Sequence, residues 1–151
     1  MIKITGMMKL LPSLHPLVMR LKALFKPLFQ SRSQPIKVIF IGIDYRCFSL
    51  SKALLDNNHH HSKPIEIIAF IDDEPWNNRT QVHQVTVYSP SEVAALVVKH
   101  QVDLIIQIEG ESLIIADNIW QGIHKTGVEV LTLALDQDLN QQQLLIYQTR
   151  P

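Results

Sequence analysis

The order of apolar and polar positions after Ile36 predicts a mixed α/β domain. Short apolar runs rich in β-branched residues alternate with amphipathic segments of helix length, which is typical of parallel strands joined by helices. The predicted strands are Lys37–Ile43, Ile65–Ile71, Val85–Tyr88, Asp103–Ile108 and Val128–Leu133. The predicted helices are Tyr45–Asn57, Pro90–His100 and Glu111–Lys125. Several strands are apolar at nearly every position, so we expect a doubly wound domain with about five parallel strands buried on both faces.

Local signals fix some of the helix ends. Ser89 and Glu92 have the spacing of a capping box, and Pro90 occupies the favoured first position of the helix that follows. Gly127 follows the third helix as a stop signal. These features place the helix starts and stops between the predicted strands.

The two ends of the chain differ from the central domain, which we assign to residues 36–135. Residues 1–35 are predicted to form a basic amphipathic arm and linker, since apolar residues recur there at helical spacing. That stripe consists of Leu17, Leu21, Leu24 and Leu28. The arm is either a helix that packs on its own domain or a loosely ordered leader, or it is a peripheral membrane anchor that meets anionic lipids through residues 1–30. Residues 136–151 form a polar C-terminal tail, in which the apolar Leu144–Tyr147 is an edge strand or a docked terminus.

Charge and cysteine content bear on the partners and the cellular compartment of the protein. The chain of 151 residues has 14 basic and 14 acidic residues, but the first seven basic residues all precede the first acid, Asp44. The arm is therefore basic and the remainder acidic. The lone Cys47 excludes an internal disulfide and favours a reducing compartment. No apolar run approaches the length of a membrane-spanning helix and no secretory signal is predicted, so we expect a cytoplasmic protein, with a position at the inner membrane surface as the alternative.

The turn after the first strand is the first candidate site. Ligands of open α/β sheets bind outside the carboxyl ends of the strands, where dinucleotide-binding folds carry Gly-x-Gly-x-x-Gly. Here the turn contains only the first glycine, and an acid stands at the second. The candidate cofactor-binding residues of this turn are Gly42, Ile43, Asp44, Tyr45 and Arg46. Two interpretations remain open: an altered nucleotide site in which Arg46 pairs with a phosphate, or a tight turn in which Asp44 caps the helix.

The turn after the second strand adds two candidate residues. Asp72 stands where dinucleotide folds place an acid on a ribose hydroxyl, and Asp73 follows it. Six acids fall in loops at the same predicted sheet edge: Asp44, Asp72, Asp73, Glu74, Glu109 and Glu111. Scattered carboxylates usually form a solvated rim, so we predict no metal site, although a divalent cation is conceivable there.

Other reactive residues give no catalytic pattern. Cys47 has no general base visible in the sequence, and the His59-His60-His61 triplet is predicted to be a polar loop. No aromatic series accompanies the basic arm, so nucleic acid is not an expected partner.

Four segments together resemble a known family. Ile67–Pro75 is similar to its "v-G-F-I-D-D-D-P" segment, Val82–Tyr88 to its "i-x-G-v-p-V" strand, Val102–Ile106 to its "v-D-x-v-i-i" strand, and Thr126–Leu133 to its "x-G-v-x-v-x-x-l-P" ending. The family is the N-terminal Rossmann-like, CoA-binding-type domain of bacterial polysaccharide-biosynthesis nucleotide-sugar dehydratases and epimerases, the CapD-like proteins. The resemblance covers about residues 36 to 140 and implies a Rossmann-like accessory module. The catalytic Tyr-x-x-x-Lys motif of its full-length relatives does not occur in this sequence.

The predicted function is that of a non-catalytic Rossmann-like module, related to bacterial surface-polysaccharide biosynthesis, that binds or senses a small nucleotide-type ligand or serves as an interaction domain. NAD(P) or another nucleotide is the expected cofactor class if a cofactor binds. The first alternative is a small NAD(P)-dependent nucleotide-sugar oxidoreductase or dehydratase. The second is a structural partner that forms a homo-oligomer, contacts another protein or lies on a membrane surface.

Overall fold

The computed structural model describes residues 33–110 and 113–149, which contain six strands and four α-helices. The strands are β1 (Ile36–Ile41), β2 (Ile65–Ile71), β3 (Gln81–Val82), β4 (Val85–Tyr88), β5 (Leu104–Ile108) and β6 (Glu129–Leu133). The helices are α1 (Tyr45–Asn57), α2 (Val93–His100), α3 (Asp117–Lys125) and α4 (Leu139–Thr149). Single 3-10 turns at Asn58–His60 and Pro90–Glu92 follow α1 and precede α2.

The strands form one sheet in the order β3-β4-β2-β1-β5-β6. All neighbouring pairs are parallel except β3 and β4, which are antiparallel. The chain leaves β1 toward β2 and β4, then crosses back so that β5 lies on the other side of β1. The order therefore reverses between β1 and β5, and the crevice outside their carboxyl ends is the ligand position expected of such a sheet.

The two faces of the sheet are covered by different helices. One core cluster joins Phe40 and Phe70 of the sheet to Leu50 of α1 and Ile146 of α4. The other joins Ile39 and Ile71 to residues of α2 and α3, including Val93, Leu96 and Ile123. Burial of apolar residues on both faces is what the nearly continuous apolar strands predict. The doubly wound fold class is confirmed.

The third helix is shorter than predicted. It begins at Asp117 rather than Glu111, and residues 113–116 are not helical. Ile115 is buried in the second core cluster, while Ala116 is extended, with φ −65° and ψ 147°. An N-cap residue has extended backbone, so the helix cannot begin before Ala116. Ile115 therefore reaches the core from a non-helical segment.

The C-terminal segment is a helix, so the edge-strand alternative for Leu144–Tyr147 is wrong. Asp138 and Gln141 cap α4 reciprocally: the Gln141 amide donates to Asp138 Oδ1 at 2.8 Å, and the Asp138 amide donates to Gln141 Oε1 at 3.0 Å. Ile146 is fully buried in the core shared with α1. Burial of Ile146 agrees with the alternative of a docked terminus.

The strand β3 was not predicted, since it has two residues and forms a hairpin with β4. The turn residues His83 and Gln84 both have positive φ, 50° and 66°, as tight two-residue hairpin turns require. The His83 ring packs 4.4 Å from that of Phe48, and its Nε2 lies 3.3 Å from the Phe48 carbonyl oxygen. The hairpin is thereby held against α1.

Two predictions concern segments outside this description. The amphipathic helix predicted around Leu17–Leu28 lies in residues 1–32, which are not among the described residues. Within residues 33–110 and 113–149, none of the helices has the length and apolar character needed to cross a membrane.

Candidate functional site

The first turn is anchored to the neighbouring strand. Gly42 follows β1, is buried, and has φ 109°, a conformation that residues with a Cβ rarely adopt. Its amide donates to the Ile71 carbonyl at the end of β2, at 2.8 Å. Gly42 therefore retains the role of the first glycine of a dinucleotide turn, which is to let the chain leave the strand sharply.

Asp44 is the N-cap of α1. Its Oδ1 accepts hydrogen bonds from the amides of Arg46 at 2.9 Å and Cys47 at 3.1 Å. These amides belong to the first helical turn, where dinucleotide folds place the pyrophosphate. The carboxylate of Asp44 therefore lies where a ligand phosphate would be expected, which agrees with the capping interpretation.

The Arg46 side chain reaches the segment that follows β6. Its Nη1 donates to the Leu135 carbonyl at 3.0 Å, so the guanidinium makes a contact with protein rather than standing free toward the crevice. Tyr45, the first residue of α1, leaves 83% of its surface exposed. Both residues are exposed, and the guanidinium of Arg46 is held at Nη1 by the Leu135 carbonyl.

The loop after β2 is ordered around Asp72. The Asp72 amide donates to the Tyr88 carbonyl at 3.0 Å, and its Oδ2 accepts from the Asn77 side-chain amide at 2.7 Å and from the Glu74 backbone amide at 3.4 Å. The next residue, Asp73, is exposed. Asp72 thus stabilises its own loop, whereas Asp73 presents its carboxylate to solvent.

The loop after β5 meets the segment that follows β6. The Glu109 amide donates to the Leu133 carbonyl at 2.8 Å. Gly110 has φ 74°, and a Cβ built on it would lie 2.8 Å from Leu135 Cδ1. Leu135 is therefore packed over Gly110, and its carbonyl is the group that Arg46 binds.

The described part of this edge is acidic. Its exposed or half-buried acids are Asp44, Asp72, Asp73, Glu74 and Glu109, while Glu111 lies outside the described residues. Arg79, in the segment between β2 and β3, pairs with Glu92 at 2.6 Å and stacks over the Tyr88 ring at 4.4 Å. Both arginines are thus engaged by protein groups.

The remaining candidates for reactive side chains are Cys47 and the histidines that follow α1. Burial, with a smaller contribution from the Asp44 charge, raises the pKa of Cys47 to about 12, which keeps the thiol protonated at neutral pH. His59 and His60 are exposed, and His61 stacks on Tyr147 at 3.7 Å. In the same ranges, no group of three His, Cys, Asp or Glu residues is placed to hold a metal ion.

An open cleft lies at the opposite edge of the sheet. It has a volume of about 260 Å³ and is lined by residues at the end of α2 and the starts of β5 and β6, among them Val98, Gln101 and Gly127. None of the predicted site residues lines it. We place the candidate site at the carboxyl edge because the topological reversal and the predicted residues meet there.

The sequence did not single out Leu135, Gly110 or Asn77. Gly110 alone carried a signal, since a glycine directly after a buried strand is typical of a turn with positive φ. Leu135 and Asn77 act through contacts that depend on how three loops meet.

Comparison with known proteins identifies the fold but not a family. No protein-family model and no curated protein match the chain. Among solved structures, UDP-D-quinovosamine 4-dehydrogenase from Vibrio fischeri is 26% identical with a TM-score of 0.53, and the match covers 72% of this chain and 86% of that one.

Two further structures have the same architecture at lower identity. A Rex-family repressor, RSP, is 14% identical with a TM-score of 0.51, over 87% of this chain and 66% of that one; other structures of RSP contain NADH, or NAD+ and operator DNA. Homoserine dehydrogenase from S. aureus is 16% identical with a TM-score of 0.51, over 75% of this chain and 29% of that one. With the strand order, these likenesses show that the chain has a Rossmann-like fold of the NAD-binding type.

Proposed function

We propose that this protein is a non-catalytic Rossmann-like module of bacterial surface-polysaccharide metabolism that senses a small ligand built on a base and a ribose. The observation that carries the proposal is the reversal of strand order between β1 and β5, with the predicted residues of two loops at that edge. Sheets of this kind bind ligands at such a reversal.

The polysaccharide setting is supported by two independent likenesses. The segment Ile67–Pro75 resembles the CapD-like accessory domain. The V. fischeri structure, whose name refers to a UDP-sugar, matches over most of its length. NAD(P) is the cofactor class to test first, since RSP has been solved with NADH.

We propose a non-catalytic role because of the chemistry of the side chains. Cys47 is buried with a raised pKa, and the sequence contains no Tyr-x-x-x-Lys pair. A ligand bound at this edge would meet carboxylates and an aromatic ring, which can recognise hydroxyl groups and a base. We therefore assign the module to ligand sensing, with a protein partner or a second copy of the chain as the receiver of the signal.

Thermal unfolding of the full chain tests this function. The panel comprises NAD, NADP, coenzyme A, UDP, UDP-sugars, adenosine and uridine. A ligand at about 100 times its dissociation constant stabilises the native state by roughly 2.7 kcal/mol, so we expect a saturable rise in melting temperature with at least one compound. A cooperative melt that none of them shifts would contradict the proposed function.

The oxidoreductase alternative is favoured only by the name of the V. fischeri structure. It predicts a change in NAD(P)H absorbance when purified protein is mixed with a nucleotide-sugar and the oxidised cofactor. We expect no turnover. Robust turnover by the purified protein would replace the sensing proposal by an enzymatic one.

Location is part of the proposal. We propose a cytoplasmic protein whose basic residues 1–30 contact the inner membrane surface. Sedimentation with vesicles of anionic or neutral lipid tests this contact, since electrostatic attachment should require the anionic lipid and weaken with salt. Equal binding to neutral vesicles, or none to anionic ones, would contradict it.

A further inference from the structure

We propose that Asp44 determines the ligand class of the crevice: it excludes ligands that place a phosphate on the first turn, and a phosphate-free nucleoside is the class that remains. The proposal rests on the proposed function for the position of the site and narrows the ligand within it.

The first step is the occupancy of the backbone donors. Asp44 Oδ1 accepts from both the Arg46 and Cys47 amides, at 2.9 and 3.1 Å. A phosphate on this turn would need those amides and would bring its negative charge against the Asp44 carboxylate. Repulsion between like charges at close range disfavours that arrangement.

The second step is that the two arginines near this edge already bind protein groups. Arg46 donates to the Leu135 carbonyl at 3.0 Å, and Arg79 is paired with Glu92 at 2.6 Å. Because Arg46 Nη1 is committed to Leu135, a phosphate could use only the remaining N–H groups of that guanidinium.

The third step concerns the space along the edge. Dinucleotides lie across the crevice at the reversal of strand order. Here Leu135 is packed over Gly110 beside the end of β5 and is bonded to Arg46. An extended dinucleotide would therefore meet Leu135, whereas a nucleoside occupies only part of that path.

The exposed side chains at the carboxyl edge of the sheet match the groups of a nucleoside. Asp73 and Glu109 present exposed carboxylates, which accept hydrogen bonds from hydroxyl groups such as those of a ribose. Tyr45 presents a largely exposed ring at the start of α1, and base-on-aromatic stacking is a favourable contact. A base, a ribose and no phosphate match this set of groups.

The test compares three variants of the full chain. Asp44→Gly frees the two amides, and Asp44→Ser removes the charge while keeping a capping oxygen. Both should fold, because glycine and serine are tolerated at an N-cap. Glu74→Gln is the control, since it removes one negative charge from the same edge without touching the amides or a side chain assigned to the ligand. Calorimetric titration with NADH and with adenosine or uridine gives the affinities, and thermal melts confirm folding.

We expect Asp44→Gly to bind NADH at least about tenfold more tightly than the unmodified protein, which corresponds to about 1.4 kcal/mol. Asp44→Ser should show a smaller gain in the same direction, and Glu74→Gln should change NADH affinity by less than about twofold, which corresponds to about 0.4 kcal/mol. The unmodified protein should bind a nucleoside at least as tightly as NADH.

Failure of this inference is distinct from failure of the proposed function. Equal NADH binding by the unmodified protein and a folded Asp44→Gly variant overturns the role of Asp44, and so does an equal gain in Glu74→Gln. If the unmodified protein binds NADH tightly, the sensing function stands and the exclusion of phosphate is wrong. If Asp44→Gly gains NADH binding while the unmodified protein binds no nucleoside, the exclusion stands and the proposed function is wrong.

Discussion

The Arg46 guanidinium donates a hydrogen bond to the Leu135 carbonyl across a sequence separation of 89 residues, at 3.0 Å. The Leu135 side chain in turn covers Gly110. Through this one leucine, the start of α1, the loop after β5 and the segment before α4 form a single connected surface at the carboxyl edge. The predictions below address that surface and the features that support it.

Gly110→Ala should destabilise the protein more than Gly127→Ala. Both glycines have φ close to 75°, so both substitutions place alanine in a left-handed conformation that costs on the order of 1 kcal/mol. Only the new Cβ at residue 110 meets Leu135, at 2.8 Å from Cδ1, whereas the Cβ at residue 127 meets nothing within 4 Å. Because the Leu135 side chain is 44% exposed and can rotate away, the extra loss at residue 110 should be small. Urea denaturation of the two variants measures the difference.

A double variant checks the cause. If the extra cost of Gly110→Ala arises from the contact with Leu135, the Gly110→Ala/Leu135→Ala pair should lose less stability than the sum of the single variants. Strict additivity, or equal losses in Gly110→Ala and Gly127→Ala, would contradict the packing described here.

Arg46→Ala should loosen the segment before α4. Loss of one hydrogen bond worth about 1 kcal/mol would speed amide exchange in that segment about fivefold. The Ala134 amide, which donates to Gln137 Oε1 at 3.0 Å, is the reporter in hydrogen-exchange measurements. Lys52→Ala, which removes a surface pair with Asp56, is the control and should leave that exchange unchanged.

Cys47 should make stability fall at alkaline pH. Burial, and secondarily the Asp44 charge, raise the pKa of the native thiol from 9.0 to about 12. The contribution of the protonated Cys47 thiol to the free energy of unfolding is therefore fully present below pH 9. It falls by up to about 1.4 kcal/mol per pH unit between pH 9 and 12, because only the unfolded thiol ionises there.

Urea denaturation at several pH values measures this slope in the unmodified protein and in Cys47→Ala, which lacks the titrating group. Burial also raises the pKa of Tyr147, but Tyr147 is present in both proteins, so the difference in slope isolates Cys47. Identical slopes would show that the native thiol is not buried as described.

Gln84→Gly should stabilise the β3–β4 hairpin by about 1 kcal/mol. Gln84 has φ 66°, where glycine avoids the strain of a side chain and is the preferred second residue of such a turn. Gln81→Gly, in the exposed strand β3, should instead lower stability. A loss of stability in both variants would mean that the turn does not impose this conformation on Gln84.

Some of the fold followed directly from the residues. The bounds of β2, β4 and α1 match those predicted, because each strand is a compact apolar run between polar segments and because an Asp before a periodic segment is a strong start signal. The helix α4 was missed although Asp138 and Gln141 have the spacing of a capping box. Its glutamine-rich sequence carries little apolar periodicity, and burial of Ile146 becomes visible only when the helix packs.

The candidate site was predictable to a similar degree. The side chain of Asp44 needs only its own helix to find partners, so its capping role could be stated from the sequence. One of the two interpretations of this turn paired Arg46 with a phosphate. The observed contact of Arg46 with Leu135 depends on where the segment after β6 passes. Contacts between loops distant in sequence are set by tertiary packing, which no local pattern encodes.

The placement of β1 between β2 and β5 has a consequence for the order of folding. Pairing with β2 closes a loop of about 30 residues, whereas pairing with β5 must wait for a segment some 66 residues further along the chain, as the Lys37 to Asp103 contact shows. Loop closure between distant segments slows folding. During synthesis, β1, β2 and α1 are therefore expected to associate first, with one backbone edge of β1 open until β5 emerges and docks.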